Sequence, residues 1–373
     1  MPGRRTSALE LAQKSWNDDG DFLITLSVRS AFDLLLRALQ LPSGSEVLLS
    51  ALTVPDMVRI VQSHGLVPVP VDTDARGHID ANSLQHAITG NSRMIVVAHL
   101  FGGWTPMDDV RQVAQDHGLI VVEDCAQSFC RVGDSAHPSS DVAMFSFGPI
   151  KTATALGGAI VRVKSPALRD RMRELLNSDP IQSRTAFLRR IARFSLLKLL
   201  SGRIATALTQ GCVEGLGGDF DLWANTAVRG FGTSHLAVQL RRQPSAALLK
   251  LLAKRWRSYD FARIERRARL GRQLSRCIGH EHPASHTFWV YPIFVSDPIV
   301  LRDRLRAAGF DATCQARMTV VPAGDRSRDP TMASTAWKHV LFLPWYPDLP
   351  EYAVDIMASV IASTMEETGA TQL

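Results

Sequence analysis

Gly118-Leu119-Ile120-Val121-Val122-Glu123-Asp124-Cys125-Ala126-Gln127 is the stretch whose reading decides the fold of this 373-residue chain. Its first half is a short, β-branched apolar run, the composition of a strand buried on both faces, and such strands belong to parallel sheets covered by helices. The run then turns polar. Asp124 therefore falls at the strand's carboxyl end, where open α/β sheets bind ligands. A second strand-like stretch, Val142-Ala143-Met144-Phe145-Ser146-Phe147, leads into Gly148-Pro149-Ile150-Lys151. Beyond it, Gly157-Gly158 opens into Ala159-Ile160-Val161-Arg162-Val163, so Lys151 is expected on a loop between strands.

Outward from this centre, strand-like and helix-like segments alternate from about Glu46 to Val163, the pattern of a sheet with helical crossovers. The expected fold class is α/β, with a three-layer large domain over residues 1–240 built on a mainly parallel sheet. From Ser245 to Arg272 the chain reads as one long helical stretch rich in Leu, Ala, Lys and Arg, entering a smaller α+β C-terminal domain over 241–373. There, Phe288 to Val295 reads as a strand, Ile299 to Ala308 as a helix stopped by Gly309, and Tyr352 to Glu367 as a closing helix.

An acid at a strand end followed by a lysine in a loop suits pyridoxal phosphate (PLP). That cofactor acts as an electron sink when a buried carboxylate keeps its ring nitrogen protonated, and its aldehyde is held as a Schiff base by a lysine amine. Asp124 would serve the nitrogen and Lys151 the aldehyde. Singly, an Asp after a strand is a common helix cap and a loop Lys is commonly solvated, so the joint pattern carries the reading.

These residues resemble the DegT-type nucleotide-sugar aminotransferases, within the fold-type I PLP-dependent enzymes. The resemblance lies in Asp124-Cys125-Ala126-Gln127, in Ser146 to Lys151, and in the Gly157-Gly158 pair. It extends through Ile95 to Gly102 with its His-Leu-aromatic-Gly turn, through Val69-Pro70-Val71-Asp72, and through Leu343-Pro344-Trp345-Tyr346-Pro347. It lapses between about Asp179 and Gln243. The resemblance implies Lys151 as the Schiff-base lysine, Asp124 as partner of the pyridine nitrogen, Gln127 beside the ring hydroxyl and Ser146 on the phosphate. Ser30, where the family has a Gly-Thr-Ala turn, either contacts the phosphate or caps the helix expected over Ala31 to Leu39.

The resemblance further implies a homodimer and an aminotransferase that uses a small-molecule amino donor, such as glutamate, and a keto or aldehyde carbonyl acceptor, a sugar or secondary-metabolite intermediate. A lysine rather than histidine at position 151 argues against the family's dehydratase relatives. Two other readings stay open: a PLP enzyme of another reaction type (decarboxylation, elimination or condensation), and a non-catalytic binding protein on the same fold.

The chain also departs from the family. No aromatic residue occupies Leu52-Thr53-Val54-Pro55-Asp56-Met57, where a ring-stacking side chain is usual, which leaves Trp104 as a substitute or simply as packing. The family's Glu is missing from Thr154-Ala155-Leu156-Gly157-Gly158, and its His-Tyr-Pro segment is replaced around Ala312 to Arg317. These changes preserve the cofactor chemistry and bear on recognition of the acceptor. His99, after a buried strand, reads as a hydrogen-bonded core residue, while Arg229 and Arg317 are candidates for a carboxylate or phosphate fork.

The net charge of +6 concentrates in Arg184 to Arg203, a segment with no acidic residue and apolar and basic positions at roughly helical spacing. It reads as a basic amphipathic helix. It would pack on the protein with its arginines in water, or else meet an anionic membrane surface or a phosphorylated substrate. Gly211 to Gly218 reads as a loop. The five cysteines form no CxxC pair, which fits reduced thiols and no metal site. With no signal-like start and no apolar run long enough to span a bilayer, a cytoplasmic protein without a nucleic-acid partner is expected.

Overall fold

The structure is a computed structural model. It describes residues 2–16, 20–74, 76–79, 81–133, 136–200, 215, 236–279, 282, 286–314, 318–324 and 328–369. In chain order the elements are α1 (Pro2–Trp16), β1 (Phe22–Thr25), α2 (Val28–Leu39), β2 (Glu46–Ser50), β3 (Leu52–Thr53), α3 (Pro55–Ser63), β4 (Val67–Val71), α4 (Ala81–Ala87), β5 (Ser92–Ala98) and α5 (Asp108–Asp116). They continue with β6 (Ile120–Asp124), β7 (Val142–Ser146), β8 (Ala159–Val163), α6 (Pro166–Ser178), α7 (Arg184–Leu200), α8 (Leu236–Leu240), α9 (Ala246–Arg257) and α10 (Ala262–Cys277). The last are β9 (Tyr291–Phe294), α11 (Pro298–Ala307), β10 (Thr319–Val320), α12 (Thr331–His339), β11 (Val340–Leu343) and α13 (Glu351–Thr368).

The chain forms two compact units, Met1–Ala38 with Ser146–Tyr259, and Leu39–Phe145 with Asp260–Leu373. In the second, parallel strands run in the order β7-β6-β5-β2-β4. β2 is buried along its whole length and β5 and β6 nearly so, which is why their centres, Val47-Leu48-Leu49, Met94 to Ala98 and Ile120-Val121-Val122, are apolar without alternation. One sheet face packs Leu48, Val71, Ile95, Val97 and Val121 against Leu84 of α4 and Val110 and Ala114 of α5. All carboxyl ends of these parallel strands share one edge, and Asp124 closes β6 there. The Asp72 carboxylate, just past β4, accepts the N–H groups of Met332 and Ala333 at 3.0 and 2.9 Å, so it caps α12.

The same unit holds a second core. β9 and β11 pair antiparallel, and Tyr291, Ile293, Leu341 and Leu343 pack with Leu270 and Leu274 of α10, Leu301 and Leu305 of α11, and Val354, Met357 and Ile361 of α13. β9 is shorter than the strand expected over Phe288 to Val295. The reason is Phe288, whose φ of +47° turns the chain out of extended geometry and lays its ring where any Cβ on Gly271 would stand.

In the first unit, β1 and β8 pair antiparallel, with Phe22 opposite Arg162. Trp16 of α1, Trp256 of α9 and Phe147 form a mutual edge-on cluster with centroids 5.1 to 5.7 Å apart. The single helix expected over Ser245 to Arg272 is instead two. Ser245 caps α9 by accepting the Leu248 N–H, the chain breaks at residues 258–261, and Asp260 accepts the Ala262 N–H as α10 begins. Ser and Asp offer the backbone side-chain partners in place of helical ones, and a run of good helix formers on both sides hides the break.

α7 confirms a helix within Arg184 to Arg203, whose last three residues lie outside the described residues. Its apolar side chains do not keep to one face, however. Phe187 is buried, Ile191, Phe194 and Leu197 are half-buried, and Leu188, Leu196 and Leu199 point outward at 59, 56 and 76% exposure. Most of the Gly211–Gly218 loop, with Cys212, Arg229 and Arg317, also lies outside the described residues. No helix among the described residues is long and apolar enough to cross a membrane.

Candidate active site

At the end of β6, Asp124 is 9% exposed, and its Oδ1 accepts the Ala126 N–H at 3.0 Å, a local turn that aims the carboxylate at the strand end. Three residues on, the Gln127 Oε1 accepts the Phe101 N–H at 2.9 Å. That bond fixes which way the carboxamide faces, because only its oxygen can take an N–H proton. The Nε2 donors are turned the other way, toward Met318 Sδ at 3.9 Å, a weak acceptor. Phe101 holds its N–H there with φ at +59°, and the following Gly102 at +103° lies so close to the chain that a Cβ would stand 2.5 Å from the Trp289 nitrogen. This turn admits glycine alone at 102.

Beneath the turn lies a buried pair. His99 and Glu123 are both fully enclosed, and His99 Nε2 stands 2.8 Å from Glu123 Oε2. The Thr105 N–H donates to His99 Nδ1 at 3.1 Å, so the ring proton resides on Nε2 and is donated to the Glu123 carboxylate. The His99 N–H donates to the Asp124 carbonyl at 3.1 Å, and the His137 N–H donates to Glu123 Oε1. Burial alone would raise the Glu123 carboxyl, but the hydrogen bonds it accepts, that of His99 foremost and the His137 N–H among them, outweigh it and hold the group below its ordinary range. Trp104 lies against the His99 ring, with centroids 4.6 Å apart, so the structure shows it packing on His99. His99, Glu123 and Cys125 bring metal-type ligand atoms within 4.8 Å of one another, but the His99 Nε2 proton is already committed to Glu123.

In the other unit, the loop that carries Lys151 is closed on itself. The Phe147 carbonyl accepts the N–H groups of both Ala155 and Gly157 at 3.0 Å, and the Phe147 N–H donates to Gly158. The Gly158 N–H in turn donates to the Leu26 carbonyl at 2.8 Å, which ties the loop to the β1–α2 junction. With φ at +90° and a would-be Cβ only 2.7 Å from Leu252 Cδ1, position 158 requires glycine. Ser146 ends β7, and its Oγ faces the Gly148 N–H at 3.5 Å. At the start of α2 the Ser27 Oγ accepts the Ser30 N–H at 3.1 Å, and the two hydroxyls are 3.0 Å apart. Ser27 therefore caps this helix. Ser30, 5% exposed, lies within its first turn and is not the N-cap considered from the sequence.

The structure thus assembles Asp124 with Gln127 in one unit and ties the Lys151 loop to the Ser27–Ser30 turn in the other. Sequence reasoning missed Ser27, the role of Glu123 and the orienting Phe101 N–H. Only Ser27 left a signal, a hydroxyl three residues before Ser30.

The model of the DegT/DnrJ/EryC1/StrS aminotransferase family matches residues 1–188. Among curated relatives, the erythromycin biosynthesis sensory transduction protein EryC1 of Saccharopolyspora erythraea is 34% identical over 181 residues, 48% of this chain and 50% of that protein. The dTDP-3-amino-3,4,6-trideoxy-alpha-D-glucose transaminase of Streptomyces venezuelae is 36% identical over 151 residues, 39% of this chain and 40% of that one. The chain spans about half the length, or less, of these relatives. Among solved structures, the sugar aminotransferase CalS13 of Micromonospora echinospora superposes with a TM-score of 0.68 at 22% identity, covering 96% of this chain and 91% of that one. NtdA of Bacillus subtilis, solved with bound pyridoxamine phosphate (PMP), superposes with 0.70 at 17% identity, covering 97% and 77%. The likeness to these structures supports the α/β fold.

Proposed function

We propose that this chain, which belongs to the DegT/DnrJ/EryC1/StrS aminotransferase family, is a PLP-dependent aminotransferase. It moves an amino group from an amino-acid donor to a carbonyl acceptor, with a sugar intermediate as the acceptor class that its relatives' names suggest. The observation that carries the reading is the end of β6. There an acid at the strand terminus stands beside a carboxamide whose oxygen is already taken and whose donors face a weak acceptor. A donor so presented fits a ring hydroxyl or its oxyanion, and the acid fits a protonated ring nitrogen.

Bound PLP would supply the carbonyl that receives the amine and the ring that takes up the electron pair left on the donor's Cα. The chain's own residues do the rest. Asp124 keeps the ring nitrogen protonated, Gln127 donates from Nε2, and Ser146 and Ser30 donate to the phosphate. The Lys151 amine carries the proton between the donor's Cα and the cofactor carbon. We also infer a homodimer working in the cytoplasm, a reading supported by the family resemblance and checked by light scattering of the purified protein.

The test is Lys151→Ala beside the wild type, with PLP and L-glutamate. The wild type is expected to take up a visible chromophore that borohydride fixes onto Lys151 and that glutamate bleaches. The variant should lose turnover by about a thousandfold or more, the scale of removing a positioned acid–base group together with covalent attachment. A Lys151→Ala protein that transaminates at the full rate would sink the proposal.

A further inference from the structure

We propose that the outward face of α7 docks on an anionic lipid surface and makes this chain a peripheral membrane protein. The helix has two apolar faces. At about 100° of turn per residue, Phe187, Ile191, Phe194 and Leu197 recur three or four apart and share one side. Phe187 is buried and the other three are half-buried, so this side packs on the protein, and α7 touches α9. Leu188, Ala192, Leu196 and Leu199 recur four, four and three apart and form a second stripe on the opposite side. All four are exposed. Packing within the chain accounts for the first face and leaves the second uncovered.

The charges beside the second stripe decide what covers it. Arg189 and Arg193 fall along one of its edges and Arg184 and Lys198 along the other, all four exposed. No acidic residue occurs between Asp179 and Glu214. An apolar stripe with a basic margin on each side is how a helix lies in the plane of a membrane. The leucines enter the boundary between headgroups and acyl chains, and the margins meet anionic headgroups. The cytoplasmic leaflet carries the anionic lipids that such margins attract. A second copy of the chain seated face to face would instead bring like charges together, and a nucleic acid takes cations without any use for the leucines. The contact is in the plane, since no helix among the described residues is long and apolar enough to cross. It also bears on the Lys151 loop. On the inner side of α7, Arg190 Nη1 lies 3.4 Å from where a Cβ on Gly157 would stand, in the glycine turn after Lys151. A docked α7 therefore holds that turn about one helix width, ~10–12 Å, from the lipid.

Docking does not depend on the aminotransferase reading, and binding alone tests it. The purified full chain is sedimented with vesicles of phosphatidylcholine, and with vesicles of phosphatidylcholine mixed with phosphatidylserine, in low and in high salt. Sedimentation with the mixed vesicles is expected, at least tenfold weaker on phosphatidylcholine alone and weakened by salt, which screens the margins. Leu196→Ser with Leu199→Ser should weaken the partition at least tenfold. Arg184→Gln with Arg189→Gln should weaken it and reduce its salt dependence. Both pairs should keep the wild-type melting temperature, because these side chains are exposed. Failure of the wild type to sediment with the mixed vesicles, or a partition that the serine pair leaves unchanged, would overturn the docking. So would a lower oligomeric state of the serine pair by light scattering, which would assign the stripe to a second copy of the chain.

Discussion

The carboxyl end of β6 and the length of α7 treat charge in opposite ways. At β6 a carboxylate and an imidazole are fully buried, yet His99, Thr105 and His137 between them give Glu123 a defined set of donors and fix the proton on one ring nitrogen. Along α7, burial and the positive charges of Arg29 and Arg193 lower the Arg190 pKa, and three leucines face outward. Burying an ion costs several kcal/mol and is offset only by close, satisfied geometry, so the first region is finished within the chain. The contrast separates an enclosed part of the molecule from an open one, and it can be attacked from either side.

The largest effect is expected at the finished end. His99→Phe keeps a ring of similar size but leaves the Glu123 carboxylate buried without its nearest donor. Removing one member of a buried pair strands the other, so the loss is expected to be about 3 kcal/mol in urea unfolding. The Asp124 carbonyl would keep its bond to the backbone N–H of residue 99, which makes the loss attributable to the side-chain pair. Unchanged stability would mean that the enclosure, and with it the contrast, is not what holds this end.

A smaller effect follows from pH. In the folded chain the Glu123 carboxyl lies below its ordinary value of 4.5, because the hydrogen bonds it accepts, that of His99 foremost, outweigh burial. A carboxyl depressed by folding contributes stability that is complete above its unfolded value and is lost as pH falls through the lower, folded one. Stability against urea should therefore hold steady from neutral pH down to about 4.5 and decline below it. In Glu123→Gln that part of the decline should be absent. A decline of the same steepness in both proteins would place the acid sensitivity elsewhere.

Much of the first region was legible because its signals are local. β8 runs over the residues expected of it, Lys151 falls on the loop between β7 and β8, and Asp124 ends its strand, since apolar runs and glycine pairs report directly on strands and turns. The His99–Glu123 pair was not legible, although both residues were in view. It depends on the parallel register that sets Ala98 beside Asp124, and no spacing along the chain encodes register between strands. The helix break at 258–261 was masked by helix-favouring residues on both sides, and Ser27 was overlooked because two serines three apart compete for one cap. In α7, helical periodicity was visible, but a helix whose leucines lie on two faces does not declare which face is inward.

The smallest effect is expected on that outer face, and it sharpens the contrast most finely. Leu196 and Leu199 are 56 and 76% exposed, so replacing either with Ser removes little surface that folding had taken from water. Each change should alter stability by no more than about 0.5 kcal/mol, the usual range for surface positions. The leucines lie on the same helix as Arg189, Arg193 and Lys198, an arrangement that also suits an anionic lipid surface. Sedimentation with phosphatidylserine vesicles, in low and in high salt, separates these uses of the helix. If wild type sediments and Leu199→Ser does not, the outer face has a lipid use. If neither sediments, the exposed leucines have no lipid use.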